Sequence, residues 1–139
     1  LEDRVSLPGG VLVEALAHGL GRRLDERRRR IRARSTLAEV DRPNVGLQLD
    51  LYHAQITEGD LTRLVDASVD LTRHVQIAGV PDRHEPDTGE VAYEHLFAHL
   101  DKAGYTGWVG CEYRPAGRTE DGLGWFAAHR GSQRPGERA

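Results

Sequence analysis

"VGLQLD", residues 45–50, is the stretch on which the fold turns. Val45, Leu47 and Leu49 alternate with Gly46, Gln48 and Asp50, so one face is apolar and the other small or polar. This is the pattern of a strand, and it ends in a carboxylate. Burying a carboxylate is costly unless it holds a proton, a cation or hydrogen-bond donors. Two later stretches repeat the pattern. In "HVQIAGV" (74–80) His74, Gln76 and Ala78 oppose Val75 and Ile77, and in "WVGCEYRP" (108–115) Gly110 and Glu112 oppose Val109 and Cys111.

The segments between them have helical spacing. "GDLTRLVDASVDL" (59–71) predicts a helix capped by Asp60, with Leu61, Leu64, Val65 and Val69 as its stripe. "VAYEHLFAHLDKAGY" (91–105) predicts another, with Leu96, Phe97 and Leu100 on one side and Gly104 as its stop. "PDRHEPDTGE" (81–90) reads as a polar loop and "TEDGLGWFAAHR" (119–130) as a last helix. Strand, helix, strand, helix, strand implies parallel strands with helical crossovers. Apolar faces under helices and polar faces on the other side fit a barrel better than an open sheet covered on both sides. The expected fold is therefore α/β, part of a (β/α)8 TIM barrel with three to four parallel strands. Asp50, Gln76 and Glu112 then lie near the C-terminal strand ends, where such barrels carry their sites. Two carboxylates and an amide oxygen are hard donors, suited to Mg²⁺ or Mn²⁺ rather than Zn²⁺. Glu2, beside a strand end expected at residues 1–2, is the upstream candidate for a further ligand.

The remaining sequence has less pattern. Residues 1–10 read as a strand end and a loop, 11–20 as helix, and "STLAEVDRPN" (35–44) as the end of a short helix and a turn. "RRLDERRRRIRAR" (22–34) holds eight arginines against Asp25 and Glu26, a local +6, while the other residues carry 11 basic and 20 acidic groups, or −9. The expected division is a divergent segment at 1–35, the barrel portion at 36–130 and a disordered tail at 131–139. At 139 residues the chain has the size of one domain. Its net charge of −3 indicates no general affinity for nucleic acid or membranes, and the arginine run lacks interleaved aromatics. The lone Cys111 excludes an internal disulfide and leads to the expectation of a reducing, cytoplasmic setting. A start at Leu1 and the absence of methionine lead to the expectation of a piece of a longer protein, unless the terminus is processed. The arginine run is hypothesised to be an insertion or a frame-shifted patch, because Lys102 is the single lysine; a family-like reading in another frame of the coding DNA checks the latter.

"NVGLQLDLYHAQI" (44–56), "HVQIAGVPDRHEPDTGE" (74–90) and "GYTGWVGCEYRPAGRTEDGLGWF" (104–126) together resemble hydroxypyruvate isomerases, members of the xylose-isomerase-like TIM barrels. The resemblance covers about residues 36–130. It implies the C-terminal half of such a barrel, interconverting hydroxypyruvate and tartronate semialdehyde through an enediolate. It implies that Asp50 and Gln76 are metal ligands and that Glu112 is both ligand and acid–base catalyst. Glu2, followed by Asp3 where the family has proline, would be the other ligand and catalytic glutamate. His53 and Arg83 fall where the superfamily contacts substrate.

Competing readings stand beside these. A half barrel with two open strand edges can be inactive, or can pair with itself or a missing half. The same fold also serves sugar epimerases and other oxo-acid isomerases. Under the bland reading Asp50 and Glu112 cap or face solvent, Gln76 hydrogen-bonds inside the barrel, His53 is structural, and Arg83 and Glu2 are solvated. Cys111 is expected to be packed, Trp108, Trp125 and Phe126 to be core or subunit contacts, and His84 to border the site.

Overall fold

The computed structural model describes residues 11–14 and 34–129. Four parallel strands lie in sequence order: β1 (Val11–Glu14), β2 (Val45–Asp50), β3 (Thr72–Ile77) and β4 (Trp108–Cys111). Residues 34–40 are helical (α1), followed by α2 (Leu51–Thr57), α3 (Leu61–Ser68), α4 (Tyr93–Lys102) and a 3-10 helix, Thr119–His129. This is the partial α/β barrel expected. The strand at 45–50 has the predicted bounds.

The apolar faces meet the helices as anticipated. Leu49, Val75 and Ile77 from the strands join Leu51, Leu61, Leu64, Val65, Leu96 and Leu100 from the helices in one buried cluster. Burial of a side chain such as Val65 or Leu96 stabilises the fold by roughly 1.5–3 kcal/mol. Helix α4 ends as its sequence predicts. Gly104 takes a left-handed φ of 80°, the Gly104 N–H donates to Asp101 O, and the Tyr105 N–H donates to Leu100 O.

Several expectations are corrected. Residues 11–14 form a strand rather than helix, because Val11, Leu12 and Val13 pair in parallel with Val45, Gly46 and Leu47. A helix unread in the sequence, α2, follows β2 with no intervening loop. Asp60 does not cap α3: it sits at φ 49°, and its carboxylate meets Arg63 Nη1 at 3.2 Å instead. Strand β3 stops at Ile77 because the buried Tyr93 hydroxyl takes both backbone groups of Ala78, accepting from its N–H and donating to its carbonyl. Cys111 is exposed, and so are Trp108 and Val109, because β4 is the last strand in sheet order and lacks a cover among the described residues; Phe126, on the 3-10 helix, is exposed as well. Trp125 does pack against the core. The expected strand at residues 1–2, the disordered tail at 131–139 and nearly all of the arginine run lie outside the described residues. No helix among the described residues is long and apolar enough to cross a membrane.

Candidate active site

The C-terminal ends of β2, β3 and β4 hold the expected residues. Asp50 pairs in register with Gln76, and Gln76 with Gly110. Glu112 lies two positions beyond Gly110, and its N–H continues the ladder to Ile77 O at 3.0 Å. Side chains alternate along a strand, so Glu112 shares the Gly110 side but stands one step higher.

The local sequence fixes Asp50 in two ways. It ends β2 and is the N-cap of α2, where its Oδ1 accepts the His53 N–H at 3.1 Å. Asp50 is only 6% exposed, and its Oδ2 has no hydrogen-bond partner among the described residues. His53 Nε2 is 3.9 Å from it. Burial pushes the Asp50 carboxyl above the usual carboxylate range; the His53 N–H and ring oppose this, Glu112 adds to it and Arg83 opposes it. Asp50 therefore lies within electrostatic reach of both Glu112 and Arg83.

Around Asp50 the other groups are held by specific contacts. Gln48 Nε2 donates to Gln76 Oε1 at 2.6 Å, using one of that oxygen's two lone pairs. Arg83 clamps Glu112 twice, through Nε to the carbonyl at 3.2 Å and through Nη2 to Oε2 at 2.6 Å. The guanidinium also lies 5.0 Å from the centroid of the Tyr52 ring, whose edge-on neighbour is the His53 ring at 5.2 Å. Tyr52 thus links the two expected substrate-contacting residues. His84, expected to border the site, has Nδ1 2.8 Å from Arg114 O.

The donor set fits an oxygen-liganded divalent cation. A buried carboxylate oxygen without a hydrogen bond is the kind of atom that a cation satisfies, and Gln76 offers a neutral oxygen beside it. Among the described residues no group of three or more His, Cys, Asp or Glu side chains is placed to hold a metal, so Gln76 and a further group are needed. Glu2 lies outside the described residues. Glu14, at the C-terminal end of β1, stands in register with Gln48. Sequence reading missed it by placing 11–20 in a helix. The available signal was "VLVE", apolar residues closing on a carboxylate much as "VGLQLD" does. Tyr52 and Gln48 were also missed, because neither bears a charge.

Comparison with known proteins agrees with the fold. The sequence matches the xylose isomerase-like TIM barrel family over residues 12–129. It is 55% identical over 86 residues to a 2-oxo-tetronate isomerase of Pectobacterium atrosepticum, covering 62% of this chain and 33% of that one. It is 46% identical over 87 residues to the hydroxypyruvate isomerase of Escherichia coli, covering 63% and 34%. A crystal structure of a family 2 AP endonuclease from Brucella melitensis superposes with a TM-score of 0.75 at 50% identity, covering 87% of this chain and 46% of that one. The E. coli 3-keto-D-glucoside 4-epimerase gives a TM-score of 0.63 at 30% identity, covering 71% and 39%. The matched segments span about a third of the length of the curated relatives.

Proposed function

Because the chain belongs to the xylose isomerase-like TIM barrel family, we propose that it carries the isomerase site for a small oxo acid, interconverting hydroxypyruvate and tartronate semialdehyde. The observation that carries this reading is the buried Asp50 Oδ2, without a hydrogen bond among the described residues, on the residue in register with Gln76 and within electrostatic reach of Glu112 and Arg83. Asp50, Gln76 and Glu112 would hold an Mg²⁺ or Mn²⁺ ion, with a fourth ligand from the strand before β2 or from upstream of it: Glu14, by its register in the sheet, or Glu2. The bound ion supplies electrophilic stabilisation of the charge that develops on the substrate oxygens.

The chain's own groups do the rest. Moving a carbonyl to the neighbouring carbon removes a proton from one carbon and delivers one to the other through an enediolate. Glu112 and that fourth carboxylate, Glu14 or Glu2, act as the two acid–base groups, a division of labour typically worth ~10²–10⁴-fold. Arg83 holds Glu112 in place and, with His53, meets the substrate carboxylate or hydroxyl. Tyr52 holds the Arg83 guanidinium by its ring face.

The test is proton NMR of hydroxypyruvate with the chain and Mn²⁺ in deuterated water. The expected result is tartronate semialdehyde with solvent deuterium at the reacting carbon, abolished in Glu112→Gln. A folded chain that binds Mn²⁺ but gives neither product nor exchange overturns the reading. A related sugar epimerase is the second reading, favoured by the likeness to the 4-epimerase; turnover of a keto sugar in place of hydroxypyruvate supports it.

A further inference from the structure

Glu85 stands outside the set of groups assigned above, yet it is a buried carboxylate, 6% exposed, in the loop after β3. Both of its oxygens face the Ala116 N–H, at 3.3 and 3.2 Å. The Gly122 backbone lies so close that any side chain there would overlap the Glu85 carboxylate. No ion pair with Glu85 is found among the described residues. A buried carboxylate satisfied by a backbone N–H is expensive if filling space is its only task. It is a strong, charge-assisted acceptor if its task is to hold that N–H in place.

What it holds is the segment carrying Glu112. Residues 83–85 and 112–116 are laced side by side. Arg83 binds the Glu112 carbonyl and carboxylate, the Arg114 N–H donates to Arg83 O at 2.7 Å, His84 Nδ1 meets Arg114 O at 2.8 Å, and Glu85 closes the lace at Ala116. Arg83 adopts φ 60°, a left-handed conformation that a non-glycine residue keeps only when its surroundings impose it. Its backbone is held at both ends, by Gly79 O at 2.8 Å and by the Arg114 N–H. Release of Ala116 frees the segment that presents the Arg114 N–H, and with it the constraint on Arg83.

We propose that Glu85 is a positioning residue: by anchoring the Ala116 N–H it holds the 112–116 segment against the 83–85 loop, fixing the Arg83 guanidinium on Glu112. This rests on the isomerase reading for its effect on turnover, but not for its effect on Arg83. A glutamine keeps an acceptor oxygen at nearly the same place, so Glu85→Gln rescues what Glu85→Ala loses.

The experiment uses the full chain labelled with ¹⁵N, with the Arg83 Nε–H resonance assigned by its loss in Arg83→Lys. The expected result is a resolved Arg83 Nε–H signal in the parent and in Glu85→Gln. In Glu85→Ala it shifts to the averaged position of exposed arginines while the β2 and β3 amide signals stay put. Ala116→Pro, which deletes the donor from the other side, gives the same loss and serves if Glu85→Ala does not fold. In the NMR isomerisation assay kcat falls ~10–100-fold in Glu85→Ala and returns to within about threefold of the parent in Glu85→Gln. An unmoved Arg83 signal in a folded Glu85→Ala or Ala116→Pro chain overturns the proposal. A parent chain that isomerises nothing overturns the isomerase reading, and the Arg83 signal then decides the positioning role alone.

Discussion

Replacing Asp50 by asparagine should make the metal-free protein more stable and the metal-loaded comparison worse. Asparagine caps a helix about as well as aspartate, so the bond from the His53 N–H to residue 50 survives. The charge does not. Burial raises the Asp50 carboxyl above its ordinary 3.8, so the fold favours the protonated form. Its contribution to stability is fully present below the unfolded value and is lost as pH rises through the folded one. Removing that charge should therefore raise stability at pH above the folded value by roughly 1 kcal/mol, a few degrees in Tm. Added Mn²⁺ reverses the order: at 100 times its Kd, a ligand stabilises the native chain by ~2.7 kcal/mol, and Asp50→Asn should receive almost none of this. Urea unfolding with and without Mn²⁺ reads both effects. Asp50→Ala, which also loses the cap, should sit about 1 kcal/mol below Asp50→Asn. A metal-free Asp50→Asn chain less stable than the parent, gaining as much from Mn²⁺, would refute the reasoning.

Four further outcomes follow from the same contacts. Tyr93→Phe leaves both backbone groups of Ala78 without the hydroxyl and should cost ~1–3 kcal/mol in urea unfolding. Gly89→Ala puts a Cβ on the Val80 carbonyl at φ 97° and should cost about 2 kcal/mol or more, whereas Gly104→Ala at φ 80°, with open space around it, should cost about 1 kcal/mol; paired thermal melts separate them. Burial lowers His74 below its ordinary 6.5, so its contribution is complete above that value and is lost as pH falls toward the lowered folded one; urea midpoints should decline below about pH 6.5 and flatten in His74→Gln. Leu51→Ala, at a fully buried position, should cost ~2–5 kcal/mol by the same melts.

The alternation in "VGLQLD" was enough to locate β2, to assign Leu49 to the core and to place Asp50 at a strand tip. Helix α4 and its glycine stop were equally plain, because apolar spacing and a left-handed glycine are local signals. Contacts between distant segments were not. Capping stood in the sequence as an alternative to the strand-end reading of Asp50; that both hold at once, with α2 starting at Leu51, was not legible. The strand at Val11–Glu14 left one local signal, a carboxylate closing an apolar run, but four residues without a neighbour are equally good helix, and its partner decides. The exposure of Cys111 depends on β4 being last in sheet order, which strand sequence cannot encode. The hold of Arg83 on Glu112 joins loops 29 positions apart and was invisible beforehand.

Mn²⁺ titration followed by electron paramagnetic resonance reads whether Asp50, Gln76 and Glu112 grip one divalent ion, as proposed. The expected result is a single bound ion per chain, abolished by Asp50→Asn and weakened by Gln76→Ala and by Glu112→Gln. Undiminished binding in all three variants, or no binding by the folded parent chain, would rule the shared site out.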